Sequence, residues 1–219
     1  KTFNRWLKLY NFSKSIFNLI DIAYPQNNET KNFLQKFDLK KIKIIGNLKY
    51  IDNNDSKSDK IDQKLFNQFK KYKTFIAAST HASEEIYAAK THILLKKKNK
   101  NLITIIIPRH INRVPEIIHQ MKKLNLRVIT RSSKKNKLTN TDIFIVDTFG
   151  ESKKFYRIAT SVFLGGSIIK RGGQNPLEPA RFGTKILHGP NVGNFREVYR
   201  YLDLLKISHK VKTPLQCAN

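Results

Sequence analysis

Short β-branched runs that alternate with helical stretches constrain this chain more than any other feature of its sequence. Many of the runs are separated by about 10–15 residues of helical pattern, which is typical of parallel βα units. We therefore predict an α/β fold in which helices flank a Rossmann-like parallel sheet. The predicted strands are residues 20–24, 42–46, 73–78, 102–107, 126–130, 142–146, 161–164 and 185–188.

Three of the intervening helices carry clear sequence signals. The first, at 83–95, begins with Ser83 as its N-cap residue and has two glutamates in its first turn, where the helix dipole favours negative charge. The second, at 114–124, has apolar residues at helical spacing, and the third is predicted at 194–205. Each helix follows a predicted strand, as parallel connections require.

The composition allows a large folded core but leaves the meaning of the charge open. The 219 residues include 42 Lys and Arg against 16 Asp and Glu, a net charge of +26, with 40% hydrophobic residues. A basic excess is typical of proteins that bind nucleic acid, an anionic membrane surface or an anionic substrate. An AT-rich genome, which favours Lys, Asn and Ile, would produce the same excess. The single cysteine, Cys217, excludes a disulfide framework and a cysteine-based zinc site.

A polar segment divides the chain unequally. Residues 53–60 contain Asp, Ser, Asn and Lys, and we predict a linker there. The piece at 1–52 has too few predicted strands for a core of its own, so we expect it to be the tail of a domain that starts earlier. Its first 19 residues are basic and aromatic, which fits packing on that domain or contact with a membrane surface. Residues 61–219 form the Rossmann-like block.

The first of four notable strand-to-helix turns has the sequence ASTHASEE at 78–85. In an open parallel sheet, ligands bind outside the carboxyl ends of the strands, where such turns lie. Ser79, Thr80, His81 and Glu84 would surround a helix N-terminus, which is a natural anion site. An ordinary capping box is the alternative interpretation.

The second and third turns add an arginine and a glycine at the same edge of the predicted sheet. Arg109 and His110 directly follow a buried strand, and the planar guanidinium suits a phosphate or a base carbonyl. A histidine such as His110 is, by itself, more often structural than catalytic. Phe149, Gly150 and Glu151 follow another strand, and the glycine allows a ligand to approach the backbone; a plain turn is the alternative.

The fourth turn has the most specific pattern. A GGS segment is followed by RGGQNPLEPA, in which Gly172 and Gly173 could expose backbone N–H groups to a phosphate. We expect a helix to begin near Asn175, with Pro176 in its first turn. Glu178 would then lie about one turn into the helix, where its carboxylate could accept hydrogen bonds from ribose hydroxyls.

These motifs together resemble one family. The run GGS…RGGQNPLEPARFG, followed by HGPNVGNF, resembles the donor-binding half of bacterial 3-deoxy-D-manno-octulosonic acid (Kdo) transferases of lipopolysaccharide biosynthesis. The segments GNLKYID, AASTHASEE, PRH and DTFGE match the same family in the same order. The chain departs from the family pattern at Ser83, where glycine is usual, at Phe149, where methionine is frequent, and at Gln174, where histidine is frequent.

The resemblance implies the GT-B architecture, in which two Rossmann-like domains face each other across a cleft. The C-terminal domain of the family binds CMP-Kdo, and the N-terminal domain binds the lipid A precursor lipid IVA and supplies the catalytic carboxylate. Kdo is transferred with inversion. By this resemblance residues 1–52 are the tail of an incomplete N-terminal domain and residues 61–219 are the donor-binding domain, so we assign no general base here. We predict no metal and no cofactor.

The resemblance also implies which residues bind the donor and where the protein works. Its predicted partners are CMP-Kdo, lipid IVA and the anionic inner-membrane surface, with the protein on the cytoplasmic face of the bacterial inner membrane, peripheral or anchored through the N-terminal region. The predicted donor-binding residues are Ser79, Thr80, His81, Glu84, Arg109, His110, Phe149, Gly150, Glu151, Gly172, Gly173, Asn175 and Glu178.

Three alternatives remain open at this point. The chain could be a non-catalytic remnant or a split-gene fragment that binds only CMP, or it could come from a GT-B enzyme that uses a UDP-sugar. A nucleic-acid-binding protein would account for the charge. However, the sequence has no helix-turn-helix, zinc-finger or RNA-recognition signature, and its basic residues are spread along the chain, so we predict no nucleic-acid partner.

Overall fold

A computed structural model of the chain describes residues 2–45, 61–133 and 137–219. The chain divides into two compact units, Lys1–Asp55 and Ser56–Asn219. The predicted linker at 53–60 and the GNLKYID motif lie outside the described residues.

Aromatic packing organises the described part of the first unit. The rings of Phe17, Phe33 and Phe37 lie with centroids 5.0 to 6.3 Å apart, the range of favourable aromatic pairs. The Asn27 side chain caps the third helix by accepting a hydrogen bond from the Thr30 N–H at 2.9 Å. The helices are Thr2–Lys8 (α1), Tyr10–Phe17 (α2) and Asn28–Gln35 (α3).

The two strands predicted in this unit are not formed in its described residues. A single parallel bridge between Ala23 and Ile42 replaces the predicted strands at 20–24 and 42–46. Ile20, Ile22 and Ile44 are exposed, so within the described residues the apolar runs have no packed face of the kind that stabilises a strand.

One parallel sheet forms the centre of the second unit, which confirms the predicted α/β fold. Within the described residues it has seven strands in the order β3-β4-β2-β1-β5-β6-β7, and every neighbouring pair is parallel. The strands are Lys73–Thr80 (β1), Leu102–Pro108 (β2), Val128–Thr130 (β3), Ile143–Ile145 (β4), Ser161–Leu164 (β5), Lys185–His188 (β6) and Ser208–Lys210 (β7).

Helices connect the strands, and the three predicted helices are present with their ends moved by a few residues. The predicted helix at 83–95 extends to Lys98, and the helix predicted from Asn194 begins at Arg196. The helices of this unit are Gln63–Phe69 (α4), Glu84–Lys98 (α5), Val114–Lys123 (α6), Ser152–Tyr156 (α7), Leu177–Ala180 (α8), Arg196–Leu204 (α9) and Pro214–Ala218 (α10).

The strands are apolar on both faces because the sheet is covered on both sides. Alternate residues of β1 enter different clusters: Ile76 packs in one and Phe75 in the other. The neighbouring strand β2 divides in the same way, with Ile105 in the first cluster and Ile106 in the second. Continuous β-branched runs are therefore the expected signature of these strands, since a parallel sheet is buried on both faces.

The order of the strands locates a crevice beside β1. The chain leaves β1 to form β2, β3 and β4 on one side of it, and then returns to form β5, β6 and β7 on the other side. Connections that leave neighbouring strands in opposite directions open a crevice at their carboxyl ends. In this sheet the reversal lies between β1 and β5, directly at the turns that the sequence singled out.

A buried polar cluster joins α5 to the side of the sheet. His92 is 1% exposed, and its Nδ1 lies 2.9 Å from Thr104 Oγ1. Its Nε2 lies 3.8 Å from an oxygen of Asp142, whose carboxylate also accepts hydrogen bonds from the Arg127 side chain. Burial, aided by the nearby Lys96 and opposed by Asp142, lowers the pKa of His92 from 6.5 to about 4.

We expect this histidine to make the fold sensitive to acid between about pH 6.5 and pH 4. In the unfolded chain His92 takes up a proton below its ordinary pKa, whereas the folded chain resists protonation until about pH 4. The free energy of unfolding should therefore fall by up to about 3 kcal/mol across this window. Urea denaturation at a series of pH values measures it.

The matched comparison is His92→Gln, which keeps a hydrogen-bonding group for Thr104 and removes the titration. Its free energy of unfolding should fall less steeply over the same pH range than that of the unchanged chain. His119→Gln, at an exposed position of α6, serves as the control and should keep the full slope. Equal slopes for the unchanged chain and His92→Gln would contradict this prediction.

Candidate functional site

The turn after β1 bends sharply into the crevice. Ser79 has a φ of 53°, and the pairing register of β1 with β2 shifts between Ala78 and Thr80 at this residue. The Thr80 carbonyl accepts a hydrogen bond from the Arg109 N–H at 2.9 Å, which ties the first turn to the second. Ser79 is half-buried and Thr80 is fully buried, while Arg109 and its neighbour His110 are exposed.

Close backbone approach explains the glycines of the GGS segment. A Cβ on Gly165 would lie 2.4 Å from the Ser79 carbonyl oxygen, a distance that real Cβ atoms do not reach. The Gly165 N–H also donates a hydrogen bond to the Ala78 carbonyl at 2.8 Å. Only a residue without a side chain can therefore bring the turn after β5 this close to the turn after β1.

A buried carboxylate holds these two turns together. The Glu84 side chain is fully buried, and its Oε2 accepts hydrogen bonds from the N–H groups of His81 at 3.1 Å and Gly166 at 2.7 Å. Its Oε1 accepts from Ser167 at 3.1 Å and Ile168 at 3.0 Å. Four backbone donors thus compensate the buried charge, as burial requires. This arrangement favours a supporting role for Glu84, whose predicted contact with the donor stays a prediction.

Polar side chains from two loops border Gly166, and one of them contacts a side chain of a third loop. Gly166 has a φ of 65°, and the space beside it is bounded by the His81 ring, the Arg171 side chain and the Gln174 amide, which lie 3.3 to 3.5 Å from the place a Cβ would occupy. The His81 ring also stands edge-on to the His110 ring, with centroids 5.9 Å apart. The first, second and fourth turns of the sequence therefore converge at one place.

The environment of His81 disfavours its charged form. Burial is the largest cause that lowers its pKa below 6.5, and the charges of Arg171 and His110 lower it further. The Glu84 carboxylate and a hydrogen bond with the Ser79 backbone act in the opposite direction, but they do not reverse the shift. The ring is thus biased towards the neutral form in a site rich in basic groups.

The HGPNVGNF motif supports the second glycine loop. The Gly172 carbonyl accepts from the Asn194 N–H at 2.9 Å, and the Asn194 side chain donates to the Arg171 carbonyl at 3.1 Å. The Gly173 N–H donates to the Gly166 carbonyl at 2.9 Å, which joins the two glycine loops. Gly172 and Gly173 have φ values of 87° and 75°, a left-handed conformation that favours glycine.

The helix after this loop is shorter than the sequence predicts. It spans only Leu177–Ala180, so Pro176 occupies its N-cap position and not its first turn, and Glu178 is its second residue and not one turn inside. The Asn175 side chain accepts a hydrogen bond from the Leu177 N–H at 3.1 Å and thereby begins the helix. A second proline inside the segment, Pro179, restricts continuation of the backbone hydrogen bonding.

The third turn lies farther from Gly166 than the other three. It follows β4, which is three strands away from β5 in the sheet, so the two turns are about 14 Å apart across the strands. Phe149 is 80% exposed, and Gly150 has a φ of 74° with open space where a Cβ would stand. Glu151 pairs with Arg131 at 3.2 Å and with Lys154 at 3.0 Å.

Ion pairing keeps the Glu151 carboxylate charged. Burial acts to raise the pKa of Glu151. Hydrogen bonds from Thr148 and Lys154 and the charge of Arg131 lower it by more, so this pKa lies below its ordinary value. This turn is therefore anchored to the loop after β3 and leaves the Phe149 ring and the Gly150 backbone accessible.

Gly165, Asn194 and Tyr199 help to build the site but were not predicted as its members, and the structural role of Glu84 was not predicted either. Glu84 was recognised, but its role as a bridge between turns depends on a contact with residues more than eighty positions away. Asn194 and Gly165 lie inside the recognised motifs, and the strict spacing of those motifs was the available signal for them. Tyr199, whose hydroxyl donates to the Gln174 carbonyl at 2.9 Å, gave no sequence signal because it reads as a core residue of α9.

A cavity elsewhere in the unit does not compete with this assignment. It has a volume of about 1260 Å³ and is lined by residues such as Lys64, Ile118 and Thr130 near the edge strand β3. None of the recognised motif residues lines it. The converging turns at β1, β2 and β5 therefore identify the candidate site better than cavity size does.

The similarity to curated relatives shows that the chain belongs to the Kdo transferase family. The chain is 37% identical over 165 residues to the 3-deoxy-D-manno-octulosonic acid transferase of Haemophilus influenzae, a match that covers 74% of this chain and 38% of that protein. The resemblance to the Kdo transferases is confirmed. A Kdo transferase of Rickettsia prowazekii is 32% identical over 205 residues, with 90% of this chain and 43% of the relative covered. No model of a protein family matches the chain.

The structural comparison points to the donor-binding half of the Kdo transferases. The C-terminal CMP-Kdo binding domain of WaaA from Acinetobacter baumannii superposes with a TM-score of 0.66 and 26% identity, covering 70% of this chain and 81% of that one. A glycosyltransferase from Rickettsia africae shares the fold with a TM-score of 0.54 at 15% identity, covering 95% and 55% of the two chains. The GT-B type of Rossmann-like fold is thereby confirmed.

The described residues contain neither a membrane-spanning helix nor a metal-binding group of side chains. In residues 2–45, 61–133 and 137–219, no helix has the length and apolar character needed to cross a membrane. In the same residues, no three His, Cys, Asp or Glu side chains are grouped so as to hold a metal ion.

The departure from the family pattern at Ser83 has a structural consequence. Ser83 occupies the N-cap position of α5 as predicted, but its φ is 77° and its side chain makes no capping hydrogen bond, so the predicted capping role is wrong. We expect Ser83→Gly to raise the free energy of unfolding by about 1 kcal/mol, because glycine adopts this conformation without strain.

The control is Ser83→Ala, which keeps the strained conformation and removes a hydroxyl that caps nothing. Its free energy of unfolding should stay within about 0.5 kcal/mol of the unchanged chain in urea denaturation. Destabilisation by Ser83→Gly would show that the hydroxyl has a stabilising role.

Loss of the Glu84 charge should release the turn after β5. In Glu84→Gln one oxygen becomes an NH₂ group that faces two N–H donors, and each unsatisfied donor costs about 1–3 kcal/mol. We expect the free energy of unfolding to fall by about 2–4 kcal/mol and the amides of Gly166, Ser167 and Ile168 to exchange hydrogen faster. Hydrogen exchange under native conditions measures this.

Glu85→Gln provides the matched control. Glu85 is also fully buried on α5, but it pairs with Arg113 at 2.9 Å and not with the turn after β5. It should destabilise the chain without selectively increasing exchange at residues 166–168. Equal local exchange in both variants would contradict the bridging role of Glu84.

Proposed function

We propose that this chain is the donor-binding part of a Kdo transferase and that CMP-Kdo binds in the crevice at the carboxyl ends of β1, β2 and β5. The chain spans 38% of the Haemophilus influenzae relative and 43% of the Rickettsia prowazekii relative, so the activity of a whole protein is part of the proposal. The observation that carries it is the convergence of His81, His110 and Arg171 beside Gly166 and the RGGQNPLEPA loop, at the carboxyl ends of the central strands.

The charges around the crevice suit the donor phosphate. Arg171 and Arg109 are exposed, and Arg109 lies directly after β2 beside the first turn. A guanidinium is always charged and presents several donors in one plane, which suits phosphate and carboxylate oxygens. CMP-Kdo carries both groups, so the proposal places its phosphate and sugar carboxylate near Gly166, between His81 and the two arginines.

We place the two parts of the cytidine, its base and its ribose, at different turns around the phosphate position near Gly166. We place the base towards Phe149 and Gly150, where an exposed ring and an open backbone are available for stacking and hydrogen bonding. The ribose is assigned to Glu178, which is half-buried in α8 after the second glycine loop. Glu151 remains the anchor of the base turn through Arg131.

In the proposed reaction, charge grows on the departing nucleotide. An acceptor hydroxyl forms a bond to the anomeric carbon of Kdo and gives up its proton to a general base, while the bond from that carbon to the phosphate oxygen breaks and its electron pair remains on CMP. Positive groups placed beforehand around the phosphate stabilise this charge as it develops. Arg171 and Arg109 are the residues to which we assign this task. We assign no general base to the described residues.

The acceptor side of the proposal rests on the family and on charge. We propose lipid IVA as the acceptor and the cytoplasmic face of the bacterial inner membrane as the place of reaction. The net charge of +26 supports an encounter with an anionic surface, because each basic residue near such a surface contributes to attraction. We propose no nucleic-acid partner.

Calorimetric titration with CMP tests the donor site. The unchanged chain should bind CMP, and Arg109→Ala and Glu178→Ala should each weaken binding by about 10-fold, since a hydrogen bond to a charged group contributes about 1.5–3 kcal/mol. Arg200→Ala, an exposed arginine on α9, is the control and should bind like the unchanged chain. Unchanged affinity in both site variants would overturn the assignment of these residues.

The same titration separates the proposed function from its alternatives. UMP and UDP should bind at least about 10-fold more weakly than CMP, because a site that hydrogen-bonds one base leaves its own groups unpaired with another. Stronger binding of the uridine nucleotides would favour a UDP-sugar enzyme. Transfer of Kdo from CMP-Kdo to lipid IVA by a whole protein that contains this chain distinguishes an enzyme from a remnant.

A further inference from the structure

The His81–Glu84 pair is a feature that donor binding alone does not use. Nδ1 of His81 is buried and lies 3.7 Å from Oε2 of Glu84. The same oxygen already accepts from two backbone N–H groups, so its position is well defined. A buried imidazole nitrogen beside a buried carboxylate is placed to receive a proton. The carboxylate alone does not stabilise the imidazolium enough, and a second negative charge, such as a bound anion, would be needed.

Within residues 2–45, 61–133 and 137–219, three charged or titratable groups act on His81. Glu84 approaches from α5, Arg171 from the loop after β5 and His110 from the loop after β2. Without a ligand, burial and the two basic neighbours outweigh the carboxylate, so the pKa of His81 lies below 6.5. An anion placed near Gly166 would oppose Arg171 and His110 and would thus reverse this balance.

We propose that His81 takes up a proton when the anionic donor binds, and that the resulting imidazolium, held by Glu84, is a catalytic group that stabilises the departing phosphate. This inference rests on the proposed function and adds a role to one of its residues. The proton comes from solvent and binds Nδ1, which lies 3.7 Å from Oε2 of Glu84, within ion-pair distance of the carboxylate. The anion, the imidazolium and the buried carboxylate form an alternating series of charges.

The imidazolium acts when the glycosidic bond breaks. The phosphate is a singly charged diester in the sugar nucleotide and becomes a doubly charged monoester as the electron pair of the broken bond remains on its oxygen. A cation that is already present at that moment stabilises the added charge without reorganisation. Because binding raises the pKa of His81, donor affinity is greater at low pH and decreases as the pH rises through the pKa of the bound state.

The experiment uses a ligand that does not titrate. CMP itself has a phosphate that loses a proton near pH 6, which would obscure proton uptake by the protein. Cytidine 5′-(methyl phosphate) is a diester, like the donor, and keeps one negative charge at neutral pH. Titrating it into the chain in buffers of different ionisation enthalpy at pH 7 gives the number of protons bound. We expect between about half a proton and one proton per ligand.

Variants assign the proton to one residue. His81→Gln should reduce proton uptake to near zero and weaken binding of the ester by about 3- to 10-fold. This is the change in affinity expected when binding raises the pKa of one group by up to about one pH unit. His110→Gln should retain uptake, and His119→Gln, on the exposed face of α6, should match the unchanged chain. NMR titration of the His81 ring in the unchanged chain should show its pKa rising when the ester binds.

The outcomes separate this inference from the function on which it rests. If the ester binds but no proton is taken up, or if uptake survives in His81→Gln, the inference is wrong and the donor site stands. If neither the ester nor CMP binds, the proposed function is wrong and the inference fails with it. The NMR measurement needs no substitution, so a His81→Gln chain that fails to fold leaves the inference open to refutation.

Discussion

The carboxylate of Glu84 is the contact on which the rest of the candidate site depends. It is a fully buried charge, and it is tolerable there only because four backbone N–H groups point at its two oxygens. Those donors belong to the turns after β1 and β5, which lie on either side of the reversal in strand order. The side chain at the start of α5 thus determines the width and shape of the crevice.

Two close backbone approaches accompany this contact. Gly165 can lie against the Ser79 carbonyl because it has no side chain, and Gly189 lies equally close to the Ser167 carbonyl at the end of β6. The turn after β5 is therefore enclosed from two sides and held from a third by Glu84. A loop confined in this way presents Gly166 and its neighbours to a ligand without needing to become ordered first, which favours binding.

The sequence predicted the architecture well because burial determines it. Parallel strands covered on both faces must be apolar along their whole length, so runs such as residues 102–107 and 161–164 could be recognised directly. The strand Ser208–Lys210 has a polar, short sequence and was missed, since it lies at the edge of the sheet. Two strands were predicted at 20–24 and 42–46, where the described residues form only a bridge between Ala23 and Ile42. An apolar run alone does not provide the neighbouring strands that a sheet needs.

The sequence predicted where the candidate site lies in the fold, but not which of its residues support the backbone and which face the open space. The rule for parallel sheets placed all four turns at one edge, and the motifs gave their residues. The sequence could not show that Glu84 faces inward to the backbone while His81 faces the space beside Gly166, because the partners are distant along the chain. The left-handed conformation of Ser83 was likewise visible only as a departure from the family pattern.

The basic excess acquires a local meaning once the fold is known. Arg109, His110 and Arg171 lie at the carboxyl ends of the central strands, in the crevice that the sheet topology creates. Other lysines make structural contacts at the end of α5. Lys96 donates a hydrogen bond to the Leu102 carbonyl in β2, and Lys98 donates one to the side chain of Asn219. Only part of the charge therefore lies at the proposed donor site, and the remainder belongs to the solvated surface or to structural contacts.

Mapping CMP onto the backbone by NMR tests the central claim most directly. In a ¹⁵N-labelled chain, added CMP should shift the amide signals of Gly166, Gly172 and Gly173 and those of the turns after β1 and β2. Amides around the cavity near β3, such as those of Ile129 and Thr130, should remain in place. Shifts confined to that cavity, or no shifts at saturating CMP, would contradict a donor site at the crevice.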